Sequence, residues 1–217
     1  MLDRIGGTVS VESYPLIGVV RSVQVGRIAP LGPDRVMSGF VKKPIEGPVE
    51  VGLLGLAGDE QADLEVHGGP DKAVYACSLG NYAVWKAAFP QHQMLLAPGG
   101  LGENLTIDGF AEGEVCLGDQ MRIGTAVLQV SQPRQPCFKF ALRFDDLTMP
   151  RAMVRNGMSG WYYRVLVPGS LAAGDEVRLL ERPHPQWSIE RTNRLIIQRH
   201  GTVAEKAEFS RLFSDSR

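Results

Sequence analysis

The sequence predicts a mainly β fold of barrel-like character, followed by a small C-terminal helical appendage. Three observations carry that prediction. Glycine (25) and proline (14) are both abundant in 217 residues, which favours many turns and short strands over long helices. Short runs of alternating or continuous apolar residues recur along most of the chain. After Arg182-Pro183-His184-Pro185 the composition changes and helical periodicity takes over.

Residues 1–15 carry little apolar periodicity. Ile17, Val19, Val23 and Val25 alternate within 16–28 and predict the first strand; residues 38–44 and 49–53 predict the next two. Residues 58–69 are polar and bounded by glycine, and Ala73 to Cys77 is a short apolar run of the buried-strand kind. Ser78 is placed to cap a helix reaching about Phe89, with Pro90 beyond its end. Tyr82, Trp85 and Phe89 recur at i, i+3 and i+7, an inward face whose simplest meaning is core packing. Residues 99–105 are a glycine-rich entry to a strand. Residues 115–124, a tight turn and the run from Ala126 into Gln132 give the barrel-like stretch. Residues 147–156 predict a helix stopped by Gly157, and 161–167 a strand stopped by Pro168-Gly169. Gly118-Asp119 and Gly174-Asp175 precede similar apolar-alternating runs, a shared way of turning into a strand. Residues 188–199 and 203–213 read as amphipathic helices joined at His200-Gly201. The expected division is a β body over 16–182 and a helical module over 186–217, with Pro183 and Pro185 as linker.

The bulk properties exclude several classes. A formal net charge of -1 offers no electrostatic argument for nucleic acid or anionic membrane. Cys77, Cys116 and Cys137 form no C-x-x-C pair, which speaks against a disulfide framework or structural zinc and for a reducing compartment. Residues 1–7 lack the basic-then-apolar layout of a signal peptide, and no apolar run approaches a membrane span, so a cytoplasmic location is expected. G-x-x-x-x-G-K-[ST], G-x-S-x-G and H-E-x-x-H do not occur.

The stretch with the most chemistry is Val130-Ser131-Gln132-Pro133-Arg134-Gln135-Pro136-Cys137-Phe138-Lys139. Two prolines stop the strand ladder that drives into it, because proline has no N–H to donate. The expected result is a stiff loop presenting the Arg134 guanidinium and the Cys137 thiol. A thiolate favoured by a nearby cation is both a nucleophile and a soft metal ligand; a cysteine that merely fills the core is the alternative. Cys77 and Cys116 sit among apolar neighbours and read as core. Asp59, Asp63 and His67 are four apart, which on a helix would align metal ligands, but Gly68-Gly69-Pro70 ends the run at once. His67-Gly68-Gly69 could instead bring backbone N–H groups to an anion or form a plain hairpin turn. Asn104 could pair with a heterocycle edge, or belong to a generic turn. Residues 157–162 suit the rim of a pocket or the end of a strand.

Taken together, Gly58-Asp59-Glu60-Gln61-Ala62-Asp63, His67-Gly68-Gly69-Pro70-Asp71-Lys72-Ala73-Val74, Gly102-Glu103-Asn104-Leu105, Ser131-Gln132-Pro133-Arg134-Gln135-Pro136-Cys137 and Gly160-Trp161-Tyr162 resemble the MOSC (molybdenum cofactor sulfurase C-terminal) domain. Their order and spacing resemble its YiiM-type branch. The resemblance implies a closed, mainly β MOSC-type barrel with a few short helices. Its cleft would bind molybdenum cofactor (molybdopterin), a pterin-dithiolene carrying phosphate. Cys137 would be the protein ligand to molybdenum. Arg134 with Gly68 and Gly69 would meet the phosphate, Asn104 and Ser131 the pterin edges, and Lys72 and Glu103 would complete the cofactor-binding set. His67 or Asp59 would donate protons or orient.

The branch is similar to reductases of N-hydroxylated compounds such as 6-hydroxylaminopurine, fed electrons by a separate flavoprotein. Other MOSC domains are sulfur carriers with the same cysteine as a persulfide, and pyridoxal phosphate binding is attached to the family as a whole. The resemblance implies no nucleic-acid or membrane partner, and a homodimer is a further expectation. The tail from Trp187 resembles a three-helix module of which this chain, stopping at Arg217, is expected to lack or shorten the third helix.

Overall fold

The computed structural model of the chain describes residues 16–63 and 68–212. Seven strands form a barrel: β1 (Leu16–Val25), β2 (Val74–Ser78), β3 (Leu105–Asp108), β4 (Gln120–Ile123), β5 (Ala126–Pro133), β6 (Trp161–Val167) and β7 (Glu176–Glu181). Their order is β7-β4-β5-β6-β2-β3-β1, and β1 closes onto β7 through pairs such as Val19↔Glu176. Closure pairs the edges that an open sheet would expose. Every neighbouring pair is antiparallel except β2 and β3. A parallel pair needs a crossover, and residues 79–104 supply it, carrying helix α1 (Asn81–Ala88) and the 3-10 turn Pro90–His92.

The barrel interior is filled by Val20, Val23, Leu105, Ile107, Met121, Ile123, Leu128, Val130, Tyr163 and Val177, all buried. The two Gly-Asp phrases do the same work. Asp119 Oδ2 accepts the Cys116 N–H at 2.9 Å and Asp175 Oδ2 the Ala172 N–H at 2.8 Å, each beside a glycine at positive φ (Gly118 79°, Gly174 96°). Each turn leads into one of two paired strands, β4 and β7. Arg182 then grips both oxygens of Asp119, at 2.9 and 2.7 Å.

The single strand expected over 38–44 is not formed. Ala29–Leu31 pairs with Val36–Ser38, and only Lys43–Pro44 pairs with β1. Between them Gly39 passes so close to Glu60 that an added Cβ would lie 2.0 Å from its carbonyl oxygen. That approach draws residues 38–42 out of a ladder and toward the cleft described below.

A second apolar cluster lies outside the barrel, under α1, α2 (Phe138–Phe144) and α3 (Met149–Asn156); it includes Phe40, Trp85, Leu101, Phe140, Phe144 and Met153. Helix α1 starts after Gly80, since Ser78, the expected cap, is the last residue of β2. Gly157 ends α3 in the left-handed region, as its position predicts.

Ahead of α3, Asp146 Oδ1 accepts the Thr148 hydroxyl (2.6 Å) and N–H (2.8 Å), while Oδ2 pairs with His92 at 3.0 Å. The Thr148 hydroxyl first, then His92 and the Thr148 N–H, pull the Asp146 pKa from its ordinary 3.8 down to about 2. A carboxylate depressed on folding stabilises the folded state fully above its unfolded pKa, and loses that contribution as pH falls through the folded one. The stability difference between the parent and Asp146→Asn should therefore be constant above about pH 4 and shrink toward about pH 2. Urea unfolding at a series of pH values checks this; a difference that grows on acidification contradicts it.

The tail packs onto the barrel. Ser188 caps α4 (Ile189–Ile196) by accepting the Arg191 N–H, and Thr202 with Glu205 forms a capping box on α5 (Val203–Arg211). Trp187, Ile189 and Leu195 belong to the barrel's own core, and Trp187 meets Phe209 edge-on at 4.9 Å. The Leu117 N–H donates to the Trp187 carbonyl at 2.9 Å and the Ile189 N–H to the Val115 carbonyl at 2.8 Å. Pro183 and Pro185 thus turn the chain back against the barrel instead of spacing a separate body from it. No helix among the described residues is long and apolar enough to cross a membrane.

Candidate functional site

Strand β5 alternates cleanly from Ala126 to Val130, with Ala126, Leu128 and Val130 buried. A register shift between Val130 and Gln132 then interrupts the pairing with β6. Such a bulge inserts one extra residue and moves every later side chain to the other face. Pro133 is buried instead of Gln132, and Arg134 follows into the interior. The Arg134 N–H donates to the Gly160 carbonyl at 3.1 Å. Gly160 sits at φ 72°, and a Cβ there would be 2.1 Å from the Ala76 carbonyl oxygen, so only glycine lets the 134 and 160 segments close on β2.

Arg134 is only 4% exposed. Its guanidinium carbon stands 5.1 Å from the ring centre of Tyr75, 5.6 Å from Phe140 and 5.8 Å from Phe40. Nη1 donates to Met153 Sδ at 3.2 Å and, at 3.4 Å, to the Gln135 carbonyl. No carboxylate among the described residues forms an ion pair with it. A buried ion costs several kcal/mol in desolvation, and cation–π contacts return roughly 0.5–2 kcal/mol each. Its other N–H groups meet no acceptor among the described residues, so the guanidinium is held rigidly with hydrogen-bonding capacity left over.

Arg134 lines a cleft of about 90 Å3 together with Phe40, Lys42, Lys72, Tyr75, Asn104, Cys137, Lys139 and Tyr162, among others. A hollow of about 430 Å3 adjoins it and shares Lys72, Cys137 and Tyr162. Cys137, half-buried, is the extended residue immediately before α2 and lines both spaces. Tyr75 and Tyr162 pack with ring centres 5.3 Å apart. Burial pushes both phenols up, and Arg134 opposes it, so both remain protonated at neutral pH. The Tyr75 hydroxyl donates to the Ser159 carbonyl at 2.7 Å, and helix α4 supports the same loop through Asn193 Nδ2, which donates to the Gly157 carbonyl (2.9 Å) and Ser159 Oγ (3.1 Å).

The site residues expected from sequence fall into three groups. Cys137, Arg134, Lys72, Asn104 and Asp59 all line the cleft. Asn104 does so with its amide already committed, Oδ1 accepting the Tyr75 N–H at 3.1 Å and Nδ2 donating to the Gln24 carbonyl at 3.2 Å. Asp59 is engaged by Lys42 and the backbone. Oδ1 accepts the Lys42 ammonium and the Gly26 N–H (2.7 Å), and the two side chains are 3% and 7% exposed. Burial pulls the Lys42 amine down, while Asp59 and then Glu103 pull it back up. Of the two roles expected for Asp59, that pairing suits the orienting one.

Glu103, Ser131, Gly68 and Gly69 fall outside the cleft lining. Glu103 is wholly buried and outside the cleft. Oε1 accepts the Tyr82 hydroxyl, the Gly99 N–H (2.8 Å) and the Thr106 hydroxyl (2.8 Å), and Oε2 accepts the Leu101 N–H at 3.2 Å. It stitches the crossover to β3 and has no oxygen turned to a ligand. Ser131 is the bulge residue, and its Oγ lies 2.6 Å from the Asp71 carbonyl and 3.1 Å from that of Tyr162, outside the cleft lining. It clips the Pro70–Lys72 turn to the sheet. Gly68 and Gly69 do not line the cleft either; Gly69 accepts the Lys72 N–H at 3.1 Å and opens that turn. His67 lies outside the described residues.

Sequence reasoning did not assign Phe40, Lys42, Tyr75 or Lys139 to the site, whereas Tyr162 lay in the 157–162 segment read as the rim of a pocket or the end of a strand. Only Tyr162 carried a local signal, in the Gly160-Trp161-Tyr162 loop. The others arrive through register and the Gly39–Glu60 approach.

Comparison with known proteins gives a consistent result. Residues 63–178 match the family model of the MOSC domain. Over 204 residues the chain is 38% identical to a protein named a reductase from Gibberella moniliformis; the match covers 91% of this chain but 36% of that protein, whose length it spans by about a third. It is 39% identical over 150 residues to protein YiiM of Escherichia coli, covering 69% of this chain and 67% of that one. The crystal structure of YiiM from Geobacillus stearothermophilus superposes with a TM-score of 0.72 at 32% identity, covering 88% of this chain and 90% of that one.

Proposed function

The chain belongs to the MOSC domain family, and on that footing we propose that it is a molybdenum-cofactor-dependent reductase of N-hydroxylated compounds. The observation that carries this reading is the pairing of a buried guanidinium, with no carboxylate partner among the described residues, and a half-buried thiol at one cleft. Those residues fit the group. A pterin phosphate is dianionic and suits the planar fork of Arg134, with Lys72 and Lys139 on the same cleft. Molybdenum is soft enough to favour thiolate, and Cys137 supplies one sulfur beside the dithiolene that the cofactor brings. The name of the Gibberella relative supports the reaction class.

When bound, the cofactor supplies two-electron reduction of an N–O bond at its metal. The chain's part is to bind, orient and exclude. Arg134 fixes the anionic end, because the three rings around it leave its guanidinium little freedom. The Lys42–Asp59 pair lines the same cleft without offering a loose charge. The net conversion is R–NHOH + 2 e− + 2 H+ → R–NH2 + H2O. We assign the electrons to a separate flavoprotein, since no flavin or iron–sulfur motif is seen in the sequence.

Expression in a cofactor-competent host, followed by assay on 6-hydroxylaminopurine with a supplied reductant, tests the reading. Cys137→Ala should lower kcat/KM by on the order of 10^3 or more, the scale on which loss of one essential group acts. Full activity in that variant would refute the role. Stoichiometric cyanide-labile sulfur on Cys137, with no turnover of any hydroxylamine, would favour the sulfur-carrier alternative.

A further inference from the structure

Reducing N–OH to N–H and water needs a proton on the departing oxygen, and none of the described residues assigned so far supplies one. We propose that Tyr162 is the catalytic acid, its phenol protonating that oxygen as the N–O bond breaks; this rests on the reductase reading above. Tyr162 lines both the inner cleft and the outer hollow, at the junction that Cys137 also occupies. Its ring is fixed from behind by Tyr75 and its backbone by pairing with Gln132 and Tyr75. Its hydroxyl makes no hydrogen bond among the described residues, whereas that of Tyr75 is spent on the Ser159 carbonyl. One phenol is therefore structural and the other has its proton available.

Burial first, and Cys137 after it, push the Tyr162 phenol up while Arg134 opposes them, so the hydroxyl keeps its proton at neutral pH. In the step, the N–O bond breaks and its oxygen takes the Tyr162 proton. That hydroxyl leaves as water, the two electrons come from the flavoprotein donor, and a second proton from solvent goes to the nitrogen. The phenolate left behind is reprotonated by solvent. A phenol is a far stronger acid than water, so the transfer to a departing hydroxide runs downhill.

The test is Tyr162→Phe in the cofactor-loaded protein. Expected are a fall in kcat of about 10^2–10^4, the usual range for a general acid, with KM and molybdenum per chain unchanged. Substitution of 3,5-difluorotyrosine at 162 should restore turnover and move the basic limb of the pH–rate profile to lower pH. A readout free of activity is the phenolate absorbance change of the cofactor-free protein, taken as parent minus Tyr162→Phe. In an Arg134→Met background that titration should move to higher pH. Turnover of Tyr162→Phe within twofold of the parent, or loss of activity in proportion to lost molybdenum, overturns the assignment. A parent that itself holds no molybdenum and reduces nothing removes the reductase reading, and the acid with it; an active parent with an active Tyr162→Phe sinks the acid alone.

Discussion

Replacing Arg134 with methionine should abolish tight anion binding in the cleft while leaving the fold at least as stable. The two effects separate because Arg134 is buried with no counter-charge among the described residues. Its desolvation costs several kcal/mol, and three cation–π contacts at roughly 0.5–2 kcal/mol each only about offset that. Methionine keeps the apolar contacts with Phe40, Phe140 and Met153 and removes the penalty. The unfolding free energy should change by between zero and about +2 kcal/mol. Losing a charge-assisted bidentate contact should weaken phosphate or cofactor binding by about 100-fold or more. Denaturant unfolding and phosphate titration of the same samples check both halves. A loss of more than about 3 kcal/mol would mean that Arg134 is a structural residue.

Glu103→Ala should have the opposite profile. Removing the carboxylate strands the Gly99 and Leu101 N–H groups and the Tyr82 and Thr106 hydroxyls, all buried around it. Unsatisfied buried donors cost about 1–3 kcal/mol each, so with relaxation the loss should reach about 3–5 kcal/mol. For a chain of this size that lowers Tm by roughly 10 °C or more. Glu103→Gln keeps one carbonyl oxygen and should lose less. Whatever folded protein remains should bind phosphate with parent affinity at low temperature. Weakened phosphate binding by a stable Glu103→Ala variant would restore the ligand role that the structure denies it.

These two residues show what a sequence can and cannot disclose about a site. The loop carrying Arg134 and Cys137 was legible because Pro133 and Pro136 end the strand ladder; that Arg134 turns into the interior was not, since the bulge that turns it leaves no mark in the sequence. Glu103 stood in an equally suggestive string, Gly102-Glu103-Asn104. There the carboxylate turns inward to accept N–H groups of its own crossover, a non-local outcome that periodicity does not report. Ser131 was misplaced by one residue of bulge, enough to change the face it occupies. The strands now seen at Leu16–Val25, Val74–Ser78 and Trp161–Val167 were legible from apolar patterning. Helix α2 was not, because Phe138-Lys139-Phe140-Ala141-Leu142-Arg143-Phe144 is apolar at most positions and aromatic-rich, which blurs the 3.6 period and lowers helix propensity. Tyr75 read as buried strand and is one, yet its ring also forms the floor under Arg134.

The central claim is that Cys137 ligates the metal of a cofactor whose phosphate Arg134 holds. Molybdenum per chain, measured by elemental analysis on the parent and on Cys137→Ala purified side by side from a cofactor-competent host, tests it most directly. The account predicts close to one molybdenum in the parent and little or none in the variant, with both folded. Equal molybdenum in the two proteins, or none in either, would contradict it.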